Sequence, residues 1–490
     1  MNIAINKLLK YALDNSILDQ DDFDYAANQI LYLLRLDSFE IIEISDQVDF
    51  FEVMAEIMVY AIKKKYVADD IDCLDAFEAK IMDAMMPRPA ELNRRFFKHY
   101  KTGPMTATNY FYNLSKATNY IKTERIKKNI SFQYSGKYAP LEITINLSKP
   151  EKDPKLIAMK KTAKEDGYPK CALCMENVGF YGAAGKAPRS NHRVINLTLN
   201  HELDRWGFQY SPYSYFNEHC IVLTKDHVPM KVDNDTFKEL IDFINKFPHY
   251  TIGSNAGLPI VGGSILSHYH FQGGRYTFPI EKAKVIQSYK KHKLVVEVLD
   301  WPLSTIRIVG NNENAILDMV EQVFEYWKQY SLPELDIIAK TDLPHNTITP
   351  IVKLDGSKYH FYIVFRNNRA TDERPYGIFH PREELFHIKK ENIGLIEVMG
   401  LAILPGRLRE ELDLIKKCFQ EKIDFASYPD LEKHLAWIET FKAEAERTAD
   451  LEKFLENQVG QVFEAVIEDS GVFKRKDQKA FLKFVSEAIY

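Results

Sequence analysis

Leu141, Ile143, Ile145 and Leu147 alternate with Glu142, Thr144 and Asn146, the period of a half-buried strand, whereas the chain before them follows a helical period. From Phe23 through Ala26, Ala27, Ile30, Leu31 and Leu34 the apolar residues recur at helical spacing, with Asp19 to Asp22 as candidate caps. The first eighty residues read as helical. Met86-Pro87-Arg88-Pro89 interrupts the pattern, and Glu91 to Tyr100 and Thr106 to Ile121 resume it with many aromatics. This change of period predicts an α+β molecule with a helical amino-terminal region, 1–135, followed by sheet-bearing parts at 136–295 and 296–490.

Within those parts, Asn217 to Leu223 and Ile260 to Phe271 are predicted strands, and Asp235 to Lys246 is a predicted helix. Further on, strands are expected at Leu294 to Val298 and Tyr359 to Phe365, and helices at Ala315 to Tyr330 and Leu408 to Gln420. From Tyr428 the chain reads as charged amphipathic helices suited to packing. With 490 residues, 46% of them hydrophobic, it can bury a large core. A net charge of -5 leaves no footprint for wrapping nucleic acid or lying on an anionic membrane. Small phosphorylated ligands fit that balance better. No long apolar run follows Met1, and five sparse cysteines do not make a disulfide framework, so a reduced, cytoplasmic setting is expected.

The densest chemistry lies in His268-Tyr269-His270-Phe271-Gln272, approached through Gly262-Gly263 and left through Gly273-Gly274. On an extended strand His268, His270 and Gln272 would share one face, with Tyr269 and Phe271 on the other. A neutral imidazole whose second nitrogen is held by a hydrogen bond is a nucleophile at neutral pH, and a neighbouring amide can donate to a phosphoryl oxygen. The pattern therefore points to nucleotidyl transfer. The glycines would let backbone approach a phosphate, although they serve equally well as turn residues.

Cys171-Ala172-Leu173-Cys174 has the spacing of a metal knuckle or of a redox dithiol. His227 and His268 could complete a closed Cys2His2 site, which would be structural and would anchor the active strand.

These segments together resemble the class II galactose-1-phosphate uridylyltransferases of bacteria. The likeness runs nearly end to end, through Met86-Pro87-Arg88-Pro89, the stretch from Leu141 to Lys152, Gly253-Ser254-Asn255 through Gly274, Pro344-His345-Asn346-Thr347 and Glu397-Val398-Met399-Gly400-Leu401. Cys171 to Asn177 also resembles the cysteine segment of class I transferases, members of the histidine-triad superfamily, whose His-Pro-His-Gly-Gln matches His268, His270 and Gln272. The resemblance implies two histidine-triad-like units with antiparallel sheets and makes His270 the nucleophile. It also implies structural zinc on Cys171, Cys174, His227 and His268, and a nucleotide contact at Asn255. Tyr269 departs from the class I proline.

The implied reaction, part of the Leloir pathway, is ping-pong. His270 attacks UDP-glucose, glucose 1-phosphate leaves, and galactose 1-phosphate takes the uridylyl group. Gln272 and Ser264 would assist at the phosphate. Lys149, Lys152, Arg366 and Arg369, with His345 and His360, are candidates for the sugar phosphate, and Glu397 is either a capping or a sugar-binding carboxylate. Class I relatives make a homodimer a possible assembly. Two other readings stand beside this one: a dinucleoside polyphosphate phosphorylase or hydrolase, and a non-catalytic, zinc-stabilised nucleotide-binding module in which His270 is a metal ligand or a structural residue.

Overall fold

The computed structural model describes residues 1–148, 167–182, 187 and 189–490, with backbone alone at 202–204. The expected α+β class holds, with helices first and almost wholly antiparallel sheet after them. Strands β1 (Ile130–Tyr134) and β2 (Leu141–Asn146) are followed by β3 (Ile195–Leu199), β4 (Glu202–Tyr210) and β5 (Cys220–Thr224). Then come β6 (Thr251–Ser254), β7 (His270–Gly274), β8 (Lys284–Lys291), β9 (Leu294–Asp300), β10 (Thr305–Gly310), β11 (Asn346–Asp355), β12 (Lys358–Asn367) and β13 (Leu401–Pro405).

Two compact units share these elements: Met1–Thr123 with Lys152–Ser214 and Cys220–His227, and Glu124–Glu151 with Tyr215–His219 and Val228–Tyr490. In the first, helices Asn2–Asp14, Phe23–Leu34, Phe50–Lys63, Ile71–Asp83, Pro89–Tyr100 and Pro104–Ala117 occupy the region read as helical. Pro89 takes the first turn of its helix, where its missing N–H removes no intrahelical bond. Strands β3, β4 and β5 pair antiparallel in that order.

In the second unit, β1 and β2 pair antiparallel and β13 joins β2 in parallel. Seven strands of a sheet run β7-β6-β11-β12-β10-β9-β8. Ile351 stands opposite both Gly253 and Tyr362, and Gly253 opposite Gln272. Cross-strand partners share a face and residues two apart repeat it. His270, Gln272, Thr349 and Arg366 therefore lie on one face.

Helices cover the other face. The Asn234–Lys246 helix begins at Asp233, whose carboxylate accepts from the Thr236 N–H (3.0 Å). It seats Phe237 against Phe361, ring centroids 5.8 Å apart. The Glu313–Gln329 helix buries Trp327 against Phe365 at 5.3 Å, and the indole N–H donates to the Thr347 carbonyl. Fully burying such a ring is worth roughly 2–3 kcal/mol. Among the described residues no helix is long and apolar enough to cross a membrane.

Two strand expectations change. The strand expected over 260–271 begins only at His270, because Pro259 and the glycines break extended backbone and Ile260 adopts φ +73, a conformation disfavoured for a β-branched residue. His268 therefore lies outside the strand. The strand expected from Asn217 starts at Cys220, since Glu218 turns into left-handed backbone at φ +54.

Candidate functional site

The ring of His270, at the start of β7, is 3% exposed, and its Nδ1 lies 2.7 Å from the main-chain oxygen of His268. A carbonyl can only accept, so Nδ1 carries the proton and Nε2 keeps its lone pair. Burial is the main influence pulling the ring's pKa down, to about 4; the bond to His268 opposes it, and the nearby His268 ring adds to the lowering. The result is a neutral imidazole of fixed tautomer. Tyr269 and Phe271 turn to the opposite face with centroids 5.3 Å apart. The Tyr269 hydroxyl donates to Glu239 (2.6 Å) and bonds the Thr236 hydroxyl (2.7 Å) on the 234–246 helix.

Gln272, one strand repeat further, pairs across the sheet with Gly253. Its side-chain Oε1 meets Nε2 of His219 at 3.1 Å. His219 has no part in the sequence reading. The signal available was its place at the start of a predicted strand, which identifies no partner.

The flanking glycines all face protein. A Cβ on Gly263 would strike the Asn255 amide, one on Gly262 the Ala256 and Leu258 carbonyls, and one on Gly273 the Thr251 carbonyl. On Gly274 it would meet the Asn217 and Glu218 carbonyls at 2.8 Å. The glycines allow close packing of neighbouring chain around the strand. Asn255 is 3% exposed and its Oδ1 accepts from the Leu395 N–H at 2.8 Å; this bond ties the segment before His268 to the Leu395–Val398 helix. Glu397 accepts from the Gly394 N–H (3.2 Å) and pairs with buried Lys389 (2.9 Å), which makes it a capping carboxylate.

Cys171 and Cys174 form a tight turn. Asn177 donates to both of their carbonyls at 2.8 Å, and the Leu173 N–H points at the Cys171 sulfur. The sulfurs are 3.4 Å apart, and Nδ1 of His227 is 3.0 Å from the Cys174 sulfur. The ligand atoms of Cys171, Cys174 and His227, all in the first unit, lie within 4.8 Å of one another. Two thiols and an imidazole at such spacings suit three corners of a Zn²⁺ tetrahedron with bonds of about 2.0–2.3 Å.

The remaining candidates fall at different places. Arg366 is 1% exposed and donates to the Ile393 carbonyl (3.0 Å); its Nε and Nη1 are buried with no partner among the described residues, as is Oγ1 of Thr349. Burial lowers the pKa of its guanidinium to about 10, with Glu397 opposing. His360 stands at the opposite end of β12, about 20 Å along the strand from Arg366. Both ring nitrogens of His345 are engaged, by Thr341 and Asn368, and Arg369 pairs with Asp336. Ser264 is exposed on the segment before β7. Lys149 and Lys152 lie outside the described residues.

The family model described as galactose-1-phosphate uridyl transferase, N-terminal domain, matches residues 17–229, and the C-terminal domain model matches residues 242–428. The galactose-1-phosphate uridylyltransferase of Clostridium perfringens strain 13 is 43% identical over 496 residues, covering 99% of each chain. That of Fusobacterium nucleatum is 44% identical over 501 residues, covering 98% of each. Among solved structures, yeast Ap4A phosphorylase Apa2 aligns with a TM-score of 0.35 at 10% identity, over 68% of this chain and 92% of that one. That overlap is too slight to bear on fold or activity.

Proposed function

The chain belongs to the galactose-1-phosphate uridyl transferase family, and we propose that it exchanges a uridylyl group between UDP-glucose and galactose 1-phosphate, the Leloir reaction, in two half-reactions on His270. The Nδ1–H to His268 carbonyl bond at 2.7 Å carries the reading, because it leaves Nε2 as the free base of the ring.

Nε2 attacks the α-phosphorus of UDP-glucose. An N–P bond forms as the bond from that phosphorus to the bridging oxygen breaks, and glucose 1-phosphate leaves with the electron pair. A phosphate oxygen of galactose 1-phosphate then attacks the same phosphorus, the electron pair returns to Nε2, and UDP-galactose leaves. Each incoming group arrives anionic or neutral with its lone pair available, so no separate general base is required. Nδ1 keeps its proton throughout, donating it to the His268 carbonyl, and that bond steadies the positive charge that the ring acquires.

Gln272 donates from its amide to the non-bridging oxygens, where charge shifts during the displacement. Arg366, on the same sheet face and with two buried donors that have no partner among the described residues, supplies the cation for a phosphate, and Thr349 adds a hydroxyl. Asn255 acts on the nucleotide indirectly, by fixing the segment around it. Zinc bound by Cys171, Cys174, His227 and His268 would supply rigid structural anchorage, and through His268 it would hold the carbonyl that sets the His270 tautomer. A homodimer belongs to the same reading, and light scattering of the purified chain tests it.

Incubation with UDP-glucose labelled at the α-phosphate is expected to leave acid-labile label on the wild-type chain and none on His270→Ala. Label persisting on the variant would sink the nucleophile assignment. Exchange of labelled glucose 1-phosphate into UDP-glucose without galactose 1-phosphate is expected from the two half-reactions, whereas release of UMP alone would indicate hydrolysis.

A further inference from the structure

His219 stands 53 residues from Gln272 in sequence, yet their side chains meet at 3.1 Å. The ring is 2% exposed and lies beside Tyr215 and Phe216, at centroid distances of 5.4 and 4.4 Å. Its other nitrogen, Nδ1, is buried with no partner among the described residues.

The pair can be built two ways. If the Gln272 oxygen accepts from Nε2–H, the buried Nδ1 is an unused acceptor. If instead the Gln272 amide nitrogen donates to Nε2, Nδ1 must carry a buried proton with nothing to receive it. Gln272 would then also have one of its own N–H groups diverted from the phosphate. Leaving a donor unpaired in a buried site costs about 1–3 kcal/mol, and orphaned donors are rarer in folded proteins than under-used acceptors. The first arrangement is therefore favoured. Burial, which outweighs the Gln272 bond, also holds the ring neutral by lowering its pKa to about 4.

The backbone around His219 is built to present it. Glu218 adopts φ +54, unfavourable for a residue with a side chain, and its fully buried carboxylate is held by the Tyr250 hydroxyl and by Arg275. On the other side, Gly274 carries no Cβ where one would strike the carbonyls of Asn217 and Glu218. A strained turn is thus clamped against the end of the strand that carries Gln272.

We propose that His219 is a positioning residue for the transfer step: its Nε2–H holds the Gln272 side-chain carbonyl, so that the amide NH2 is the end presented to the phosphoryl oxygens. The proposal rests on the role of Gln272 given above. An amide without this restraint can rotate by half a turn and offer its oxygen to a phosphate oxygen, a repulsive contact. His219 removes that alternative.

The test is a kinetic cycle with His219→Phe and His219→Gln, each made in the wild type and in Gln272→Ala. The Phe variant is expected to lower kcat about tenfold, the worth of one buried hydrogen bond, with the UDP-glucose KM within about twofold. In Gln272→Ala the same change should cost nothing further, and Gln at 219, which restores an N–H donor, should recover most of the loss. An equal loss in both backgrounds, a loss confined to KM, or no recovery by Gln overturns the proposal. Should the Phe variant fail to fold, the tautomer decides. In histidine-labelled ¹⁵N spectra the signals lost in His219→Gln should be those of a neutral ring protonated at Nε2, and signals protonated at Nδ1 would overturn it. That readout is independent of turnover, so a wild type with no uridylyl exchange refutes the proposed reaction and leaves the His219 assignment separately measurable.

Discussion

Tyr269 lies between His268 and His270 in sequence, and its hydroxyl is taken up by Glu239 and Thr236. Burial pushes the Glu239 carboxyl up from 4.5 to about 7, against the opposing bond from Tyr269. The folded state thus holds a proton that the unfolded chain has released, and this carboxyl's contribution to stability falls as pH rises from about 4.5 to 7. The full effect is at most about 3 kcal/mol. Glu239→Gln should be isostable with the wild type below pH 4.5 and more stable above pH 7, read from urea unfolding midpoints; parallel midpoints across that range would dismiss the effect. His270→Ala should retain bound zinc while losing activity, because the proposed nucleophile is not among the residues proposed to hold the metal. Loss of zinc from that variant would return His270 to the metal-ligand reading.

Strand β7 owes its position to glycine and its orientation to side chains on both faces. Gly274→Ala places a methyl against the carbonyls of Asn217 and Glu218 and within 2.9 Å of the Phe216 ring. Overpacking of this kind costs about 1–3 kcal/mol. The variant should also lose kcat through displacement of the His219 turn, with bound zinc unchanged; a destabilised enzyme of normal kcat would show that the turn does not communicate with Gln272. The alternating residues around the strand disclosed its two faces, but not where it starts. Ile260 and the glycine contacts decide that, because they depend on carbonyls from neighbouring segments and not on local propensity.

Pairing across the chain determines what can fold alone. β6 lies within residues 136–295, yet its partner β11 begins at Asn346. A fragment ending at 295 leaves the inner edge of β6 unpaired and its apolar faces uncovered, so residues 136–295 expressed alone should show no cooperative thermal transition. A sharp transition would contradict the dependence on β11. Chelation should affect the entire enzyme: zinc removal is expected to lower the melting temperature and abolish transfer together, since a metal held in part by His268, as proposed, would fix the carbonyl that sets the His270 tautomer. Activity that survives complete zinc loss would make the metal site a local staple only.

From sequence alone came the change of period near residue 140, most helices and strands, the Cys-x-x-Cys knuckle and the alternation of His270 with Gln272. All of these are local, set by side-chain type and spacing along one stretch of chain. Tertiary structure decided that His268 sits outside the strand, that Asn255 and Glu397 brace backbone, and that Arg366 and not His360 shares the His270 end of the sheet. It also brought His219 to Gln272 across 53 residues. Tautomer, burial and the free end of an amide are set by which atoms from distant segments come within hydrogen-bonding range, and no spacing along the chain encodes that.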